Sequence, residues 1–437
     1  MREMIDSGIP WIGKIPKGWQ IGKVKNFYRF FTGFTPDTKN ESYYDNENGV
    51  PWATISDLSG KYIETTKGGI SKLYISQKQP MLVPKDSLLY SFKLSVGQVA
   101  RTKIELYTNE AIAAFPPAEN ISLDYLYYSS QVCIIENANE NIYGAKLLNQ
   151  ELINNATILY PSLAEQQRIA EFLDRKCAEV DEMIGLQEQI IEELKDYKQS
   201  VITEAVTKGL NPDAPMRDSG IEWIGQIPQG WYVSKFHRVC SVITDFVASG
   251  SFESLRINVP YLDYPDYAML VRTIDLSGKG RASEKVYISE HSYNFLQNSN
   301  LYGGEIVLPN IGASVGDVYI VPQLYERMSL APNAIMFKTE CCDKYWYYYF
   351  YSQAGKQSIF DICQSTAQPK FNKTELRNIR VCILPLAEQQ AIADYLDEKC
   401  ADVDSLIQTK LSKIDSLKEY KKSIIYEYVT GKRELNE

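Results

Sequence analysis

The sequence predicts an α+β fold in which two similar mixed-β domains are joined by two long antiparallel coiled-coil helices, with pseudo-two-fold symmetry. Two internal repeats lead to this prediction. Residues 6–19, DSGIPWIGKIPKGW, and residues 218–231, DSGIEWIGQIPQGW, are identical at 11 of 14 positions. A long amphipathic stretch at residues 161–210 returns at residues 385–437. A block followed by a helix therefore occurs twice in the chain.

Residues 161–210 are predicted to form one coiled-coil helix, because apolar residues recur at steps of four and three. Ser162 followed by Glu165 is the pattern of a capping box, and Lys208-Gly209 marks the end. At ~1.5 Å per residue, a helix over residues 164–209 is about 70 Å long. The apolar seam consists of Leu173, Cys177, Val180, Ile184, Ile191, Leu194, Val201 and Ala205.

The second helix repeats the first at an offset of 223 residues, including its polar interruptions: Gln187 corresponds to Lys410, and Lys198 to Lys421. Polar residues in such a seam can fix the register of the helices. Alternatively, they lie where the helices splay apart or meet another surface. The second copy begins Pro385-Leu386 and lacks an equivalent of Ser162, so we expect no capping box there.

The blocks diverge between the repeated segments but keep a common order of short apolar runs and turn residues, which predicts mixed strands and loops. ISDLSG at 55–60 resembles TIDLSG at 273–278, and SVGQV at 95–99 resembles SVGDV at 314–318. The predicted domains are residues 1–160 and 211–384, each followed by its helix at 161–210 or 385–437. The second helix starts from the second block, so it can bury its seam by running back antiparallel to the first.

Composition excludes several classes of protein. The 437 residues are 44% apolar and 23% charged, and no apolar run approaches the roughly 20 residues of a membrane span. Eight cysteines without a CxxC pair and only two histidines give no zinc-site spacing. We therefore expect no metal, no membrane association and a reducing, cytoplasmic location.

The net charge of −9 is concentrated in the helices. Residues 161–210 carry −5 and residues 385–437 carry −3, whereas the two blocks are close to neutral. An acidic helix pair would not lie along phosphates. Each neutral block, however, can present one basic face to DNA.

No catalytic motif is present. The sequence contains no GxxxxGK[ST] phosphate loop, no [DN]PP[YF] tetrapeptide and no GxSxG near a histidine. We therefore expect the chain not to be an enzyme on its own.

Polar loop residues in both blocks are of the types that contact base edges and phosphates. Taken singly, each is more often a solvated loop residue, and only the recurrence of three loops in both blocks favours binding to DNA. The predicted DNA-binding residues are Thr35, Lys39, Asn40, Tyr43, Tyr44, Lys93, Ser95, Lys146 and Asn149 in block one, and Arg256, Arg272, Asn310, Ser314, Thr366, Gln368 and Lys370 in block two.

The order of motifs resembles the specificity subunit of type I restriction–modification systems. The resemblance covers essentially the whole chain and rests on IPxGW at 15–19 and 227–231, TGFTP at 32–36, and LAEQQ at 163–167 and 386–390, each LAEQQ opening a long helix. Block two lacks TGxTP; Asp245-Phe246-Val247 stands near that place, so loop contacts are not transferred between blocks.

This resemblance implies that each block is a target recognition domain reading one half of a bipartite, asymmetric double-stranded DNA target. It implies two methylation subunits and restriction subunits as partners, with adenine methylation performed by the former. S-adenosylmethionine, ATP and Mg²⁺ are then expected on partner subunits, and no cofactor on this chain. A different hypothesis, a tandem-domain coiled-coil scaffold that binds proteins rather than DNA, explains the acidity and the helices equally well.

Overall fold

The computed structural model describes residues 2–119, 121–141, 144–278, 281, 284–363 and 368–435. The chain forms two compact units. Unit 1 comprises Met1–Gln187 with Leu411–Glu437, and unit 2 comprises Glu188–Lys410. Each unit contains one block and part of both long helices, and the predicted four-part division into blocks and helices stays a prediction.

Unit 1 contains fourteen strands among its described residues. They are β1 (Met4–Asp6), β2 (Lys14–Pro16), β3 (Gln20–Lys23), β4 (Phe31–Thr32), β5 (Val50–Ala53), β6 (Tyr62–Ile63), β7 (Gly68–Ile70), β8 (Leu88–Ser91), β9 (Val99–Thr102), β10 (Tyr107–Thr108), β11 (Ile112–Phe115), β12 (Asn139–Glu140), β13 (Lys146–Leu147) and β14 (Thr157–Tyr160). The larger sheets have the orders β4-β11-β8-β9-β6 and β10-β5-β7. Strands β3 and β14 form a separate antiparallel pair.

Five α-helices begin in unit 1. They are α1 (Val24–Phe27), α2 (Lys72–Lys78), α3 (Leu123–Cys133), α4 (Gln150–Asn155) and α5 (Leu163–Lys208). Helix α3 covers one face of the five-stranded sheet, where Leu126 packs with Leu88 and Phe115. The alternate residues Leu89 and Ala114 lie in a second core on the opposite face. This alternation follows from the two-residue repeat of a strand.

Unit 2 contains twelve strands and seven α-helices that begin in it, counted over its described residues. The strands are β15 (Met216–Asp218), β16 (Gln226–Pro228), β17 (Tyr232–Lys235), β18 (Cys240–Asp245), β19 (Ala268–Val271), β20 (Tyr287–Ile288), β21 (Asn300–Leu301), β22 (Ile306–Pro309), β23 (Tyr319–Ile320), β24 (Met328–Leu330), β25 (Ala334–Thr339) and β26 (Arg380–Ile383). The helices are α6 (Phe252–Asn258), α7 (Thr273–Leu276), α8 (Glu290–Phe295), α9 (Asp343–Tyr351), α10 (Gln353–Asp361), α11 (Lys373–Asn378) and α12 (Leu386–Val429).

The two units share a core topology and differ in edge strands, since β6 extends a sheet of unit 1 and β21 a sheet of unit 2. The sheet order β18-β25-β22-β23 repeats β4-β11-β8-β9, and β24-β19-β20 repeats β10-β5-β7. In both units the second of these sheets contains one parallel pair, β5 with β10 and β19 with β24. The antiparallel pair β17–β26 repeats β3–β14. The predicted α+β fold with two similar mixed-β domains is confirmed.

Each unit contains an antiparallel pair of long-helix segments. In unit 1, Phe172 of α5 packs on Tyr428 of α12, and Lys421 bonds to Asp181 at 2.6 Å. In unit 2, Lys198 bonds to Asp404 at 2.7 Å. Residue numbers rise along one helix as they fall along the other, which is the antiparallel arrangement that the sequence predicts. Lys198 and Lys421, which interrupt the seam, thus form ion pairs across it, and their role in fixing the register stays a prediction.

The buried glutamine of each LAEQQ motif ties the long helix to a neighbouring helix. Gln166 donates to the Pro161 carbonyl at 2.9 Å and accepts from the backbone N–H of Ser122, the N-cap of α3, at 3.3 Å. Gln389 makes the same two contacts in unit 2, with the Leu384 carbonyl and the N–H of Cys342. Both side chains are almost fully buried.

The IPxGW segments pack on the glycines that end the long helices. A Cβ on Gly431 would lie 2.4 Å from Pro16 Cδ and 3.2 Å from the Trp19 ring. A Cβ on Gly209 would lie 3.4 Å from the Trp231 ring. Both glycines also have positive φ, +67° at Gly431 and +75° at Gly209, so the helix end predicted at Gly209 is confirmed and Gly431 ends the second helix in the same way.

The predicted capping box at the start of α5 is only half formed. Ser162 Oγ accepts from the Glu165 N–H at 3.3 Å, as expected. The Glu165 carboxylate does not accept from the backbone N–H of Ser162, which would complete the box. It accepts instead from Trp19 Nε1 at 3.1 Å and from Arg2. The prediction was wrong because these two donors from the N-terminal segment compete for the same oxygens.

Candidate nucleic-acid interface

In unit 1, strand pairing brings three chain segments to one edge of the sheets. Strand β10 is followed by the turn 109–111, which leads into β11. Backbone bonds of 3.0 Å join Asn109 N to the Ala53 carbonyl, at the end of β5, and Phe92 N, after β8, to the Ala111 carbonyl. The segments that follow β5, β8 and β10 therefore share this edge, which we call edge 1.

At edge 1 a hydroxyl bonds to a carboxylate whose ionisation a neighbouring ammonium group favours. Thr35 Oγ1 donates to the Glu110 carboxylate. This hydrogen bond is the main reason that the pKa of Glu110 lies below its ordinary value of 4.5. Partial burial acts in the opposite direction, and the charge of Lys93 lowers the pKa further. Glu110 is thus an ionised, solvent-exposed acceptor beside two of the predicted DNA-binding residues.

The remaining predicted residues of the first loop mostly hold its shape. Asn40 caps a 3₁₀ turn by accepting from the Ser42 N–H at 3.2 Å. Tyr43 packs on Tyr74, and the Tyr44 hydroxyl donates to the Pro36 carbonyl at 2.9 Å. Lys39 has an exposed side chain.

The third predicted loop of unit 1 is also internally bonded. Lys146 forms a 3.0 Å ion pair with Glu140, and Asn149 caps α4 by accepting from the Leu152 N–H at 2.8 Å. The next residue, Gln150, donates to Thr32 Oγ1 at 3.0 Å, which attaches the start of α4 to the end of β4.

Unit 2 contains the equivalent edge, edge 2, with different side chains. The backbone bonds Ala331 N to Val271 O and Asn310 N to Asn333 O, at 2.9 and 3.1 Å, repeat those of edge 1. By this correspondence Pro332 replaces Glu110. Edge 2 therefore lacks the carboxylate of edge 1.

Four of the predicted residues on edge 2 stabilise its loops or lie beside them. Asn310 donates its side-chain N–H to the Phe371 carbonyl at 2.9 Å, and Lys370 pairs with Ile311 through a β-bridge. Ser314 is half-buried, while Gln368 and Lys370 have exposed side chains. Thr366 lies outside the described residues.

The two predicted arginines of unit 2 differ in their availability. The Arg272 guanidinium forms a forked pair with Asp275, both distances 3.0 Å, and also donates to the Glu284 carbonyl at 2.7 Å. Arg256 lies exposed on α6, whose Phe252 is 82% exposed. Base contact by any of the predicted residues stays a prediction. The guanidinium of Arg272, however, already bonds to Asp275 and to the Glu284 carbonyl of its own loop.

The tie between the first and third loops is chemically different in the two units. Strand pairing aligns Thr32, opposite Ala113, with Asp245, opposite Ile335. Where Gln150 donates to Thr32, Lys373 lies 2.9 Å from the Asp245 carboxylate. A neutral hydrogen bond has thus been replaced by a partly buried ion pair at the place where the TGxTP string is missing.

Four helical tyrosines, two in each unit, pack within the protein. The hydroxyl of Tyr128 donates to Asp174 at 2.5 Å, and that of Tyr348 to Asp397 at 2.8 Å. Tyr127 and Tyr347 make edge-on contacts with them. Burial raises the pKa of Tyr127 and of Tyr347 to about 12.

Two residues at edge 1 were not predicted from the sequence. Glu110 belongs to no recognisable sequence motif, and only the strand pairing places it beside Thr35. Leu94, in the loop after β8, is 92% exposed and has a φ of +59°. An isolated leucine next to Lys93 and Ser95 gives no signal in the sequence.

Metal-binding clusters and membrane-spanning helices are both absent from the described residues. No group of three or more His, Cys, Asp or Glu residues in the described ranges is arranged to hold a metal ion. Of the helices in these ranges, none combines the length and apolar character that a bilayer span requires. All eight cysteines are free, and Cys177 and Cys400 are buried in the equivalent seam positions that the sequence assigns to them.

Comparison with known proteins gives consistent matches. The family model of the type I restriction modification DNA specificity domain matches residues 16–196 and 243–433. The MjaVIII type I restriction enzyme specificity subunit of Methanocaldococcus jannaschii is 24% identical over 439 residues, covering 96% of this chain and 94% of that protein. The EcoKI specificity subunit of Escherichia coli K12 is 22% identical over 427 residues, covering 93% and 88%.

Two solved structures share the fold. A chain from a study of complex assembly in the type I R-M system aligns with a TM-score of 0.68 at 15% identity, covering 96% of this chain and 99% of that chain. The HsdS subunit of Thermoanaerobacter tengcongensis aligns with a TM-score of 0.50 at 16% identity, covering 96% and 98%. At these identities the likeness concerns the fold alone.

Proposed function

The chain belongs to the type I restriction modification DNA specificity family, and on that premise we propose that it reads a bipartite, asymmetric double-stranded DNA sequence for a type I restriction–modification complex. In this role it directs adenine methylation or restriction that partner subunits carry out. Each unit acts as a target recognition domain for one half of the target.

The observation that supports this proposal most directly is the pair of equivalent edges. One topology presents the same strand ends twice, and the side chains that line them differ, as Glu110 and Pro332 do. Hydrogen-bonding groups on loops are the means by which proteins distinguish base pairs. Two different sets of groups favour two different half-sites, and hence an asymmetric target.

The long helices are proposed to set the spacing between half-sites and to carry the partner subunits. Their net charge of −5 and −3 disfavours contact with phosphate and favours a protein surface. The helix pair occurs once in each unit, with the same ion pair, and this duplication supports two equivalent positions for methylation subunits. Restriction subunits complete the assembly.

We assign all chemistry to the partner subunits and none to this chain. The basis is the lack of phosphate-loop and [DN]PP[YF] sequences. S-adenosylmethionine then binds to the methylation subunits, and ATP and Mg²⁺ serve restriction. A cytoplasmic location follows from the DNA target and from cysteine usage without a disulfide pattern.

Exchange of residues 20–160 with the corresponding block of a relative tests the proposal. Gln20 and Tyr160 are partners in the β3–β14 pair, so the exchanged segment begins and ends at adjacent positions and leaves α5 and α12 intact. Cells carrying the exchanged chain with its methylation subunits should methylate a motif in which one half has changed and the other has not. A matched exchange between Tyr232 and Ile383, which are also partners, should change the other half. Change of both halves by either exchange contradicts the assignment of one half-site to each unit.

Binding of a duplex at two salt concentrations separates this function from the protein-binding scaffold. The chain with its methylation subunits should bind its methylated motif in preference to a scrambled duplex, with affinity that falls steeply as salt rises. Absence of duplex binding in the presence of methylation subunits would support the scaffold instead.

A further inference from the structure

The loop between β8 and β9 presents an apolar side chain to solvent. Leu94 is 92% exposed, the highest value for a large apolar residue among the described parts of the chain. Its backbone lies in the left-handed region, with a φ of +59°. Glycine or asparagine occupies this region at less cost than leucine, whose Cβ crowds the backbone there.

Neither feature helps the chain to fold. An exposed leucine gains no stabilisation from burial, and a left-handed conformation adds strain. Both disadvantages would disappear if position 94 were glycine. The leucine is therefore better explained by contact with something outside the chain.

The loop is held firmly around Leu94. Ser91 N donates to the Gln98 carbonyl at 2.8 Å, and Gly97 N donates to the Ser91 carbonyl at 2.9 Å. Ser91 Oγ donates to the Lys93 carbonyl at 3.2 Å, and Val96 packs on the core of unit 1. Leu94 thus projects from a closed, anchored turn, which positions it in advance of any contact.

The groups around Leu94 favour DNA as the contact. Lys93 is exposed beside it and affects the ionisation of Glu110, which is bonded to Thr35 at the same edge. An apolar tip with a neighbouring cation and hydrogen-bonding groups is the combination by which proteins insert a side chain between base steps while holding the adjacent phosphates.

We propose that Leu94 is a wedge that inserts at a base step of the half-site read by unit 1, while Lys93 contacts a neighbouring phosphate. This inference rests on the proposed function and adds a mechanism of recognition to it. Block two has no leucine at the equivalent place, where Ala313 precedes SVG. The wedge therefore belongs to one half-site.

The test compares Leu94→Gly with Lys93→Ala in the complete chain bound to its methylation subunits. Leu94→Gly suits the local φ and should leave the unfolding temperature unchanged or higher, while affinity for the methylated motif falls about tenfold or more. Because an apolar contact releases no counterions, the dependence of affinity on salt should not change. Lys93→Ala should reduce the salt slope by about one.

Met81→Ala is the matched control. Met81 is 63% exposed and precedes β8, whereas Leu94 follows it, so the two lie towards opposite ends of that strand. Its truncation should not alter affinity. Duplexes with 2-aminopurine at each position of the half-site, apart from the methylated adenine, supply a direct readout: one position should fluoresce more with the wild-type chain than with Leu94→Gly.

Wild-type affinity in Leu94→Gly, or no difference in fluorescence at any position, would overturn the wedge. Weaker binding of methylation subunits by Leu94→Gly would also overturn it, because the contact would then be with protein. Failure of the proposed function looks different: the wild-type complex itself would not prefer its motif to a scrambled duplex.

Discussion

Gln166 and Gln389 show why a short motif recurs at the start of both long helices. Each is buried and bonds to two backbone groups that would otherwise lack a partner at a helix junction. An unpaired buried backbone group is destabilising, so a residue with one donor and one acceptor is needed at this place. The motif is therefore structural in origin.

Replacement of Gln166 by methionine should lower the stability of unit 1 by about 2–4 kcal/mol, because the Ser122 N–H and the Pro161 carbonyl both lose their partner at nearly constant side-chain volume. Urea unfolding measures the change, and hydrogen exchange at residues 122–126 locates it. Gln167→Met is the control, since Gln167 is adjacent but exposed. Equal stability of the two variants would show that the buried bonds contribute little.

The candidate site was only partly predictable from the sequence. Residue types and loop positions were predicted, and Thr35 and Lys93 both act on Glu110 at edge 1. The sequence does not show, however, that Asn40 and Asn149 serve as caps or that Arg272 pairs with Asp275. Polar side chains that cap and those that bind look alike until the backbone around them is known. The positive φ of Leu94 likewise cannot be predicted from the sequence, because it depends on the backbone of its loop.

The long helices were predicted more completely, because periodicity specifies a buried stripe. The first helix, Leu163–Lys208, is two residues shorter at each end than the predicted 161–210, whereas the second ends at Val429, eight residues before the predicted limit of 437. Leu173, Cys177, Val180 and Ala205 are buried as predicted. Ile184, Leu194 and Val201 of the predicted seam are only partly buried, and Ile202, which the predicted seam did not include, is buried. A strict alternation of four and three is approximate for a helix that also packs on a folded block.

Charge reversal tests whether the seam lysines fix register. Lys421→Asp should destabilise the helix pair by placing like charges beside each other, and Asp181→Lys should restore it. Because these side chains are partly exposed, we expect a coupling of roughly 0.2–1 kcal/mol that shrinks in high salt. A double-mutant cycle followed by thermal unfolding measures it.

The equivalent cycle at Lys198 and Asp404 should give a similar coupling, since the pair is repeated in unit 2. Lys422 provides the control: it is next to Lys421 but pairs with Glu419 on its own helix. Rescue of Lys422→Asp by Asp181→Lys would contradict a specific contact across the seam.

For the whole chain, the internal repeat was the most informative feature of the sequence. It predicted one architecture used twice, which the equivalent sheet orders of the two units confirm. The loops at the edges could not be predicted by transfer from one unit to the other. Asp245 and Lys373 replace Thr32 and Gln150, and Pro332 replaces Glu110, so the frame is shared while the recognition surface is not.

The proposed spacer role predicts the effect of lengthening both helices. Unit 1 ends within α5 at Gln187, and unit 2 ends within α12 at Lys410. Four residues inserted after each of these positions leave the paired segments of both units intact. Four helical residues add ~6 Å, so the methylated motif should keep both half-sites and gain roughly one or two base pairs of unread spacer.

Sequencing of methylated motifs in cells that carry the altered chain measures this outcome. The same four residues inserted after Asn211, in the exposed segment between α5 and β15, should leave the motif unchanged, because neither long helix is altered. A changed half-site with an unchanged spacer would mean that the helices do not measure the target. The length of the spacer would then have to be set by the loops that read the bases, and a single block exchange would alter it.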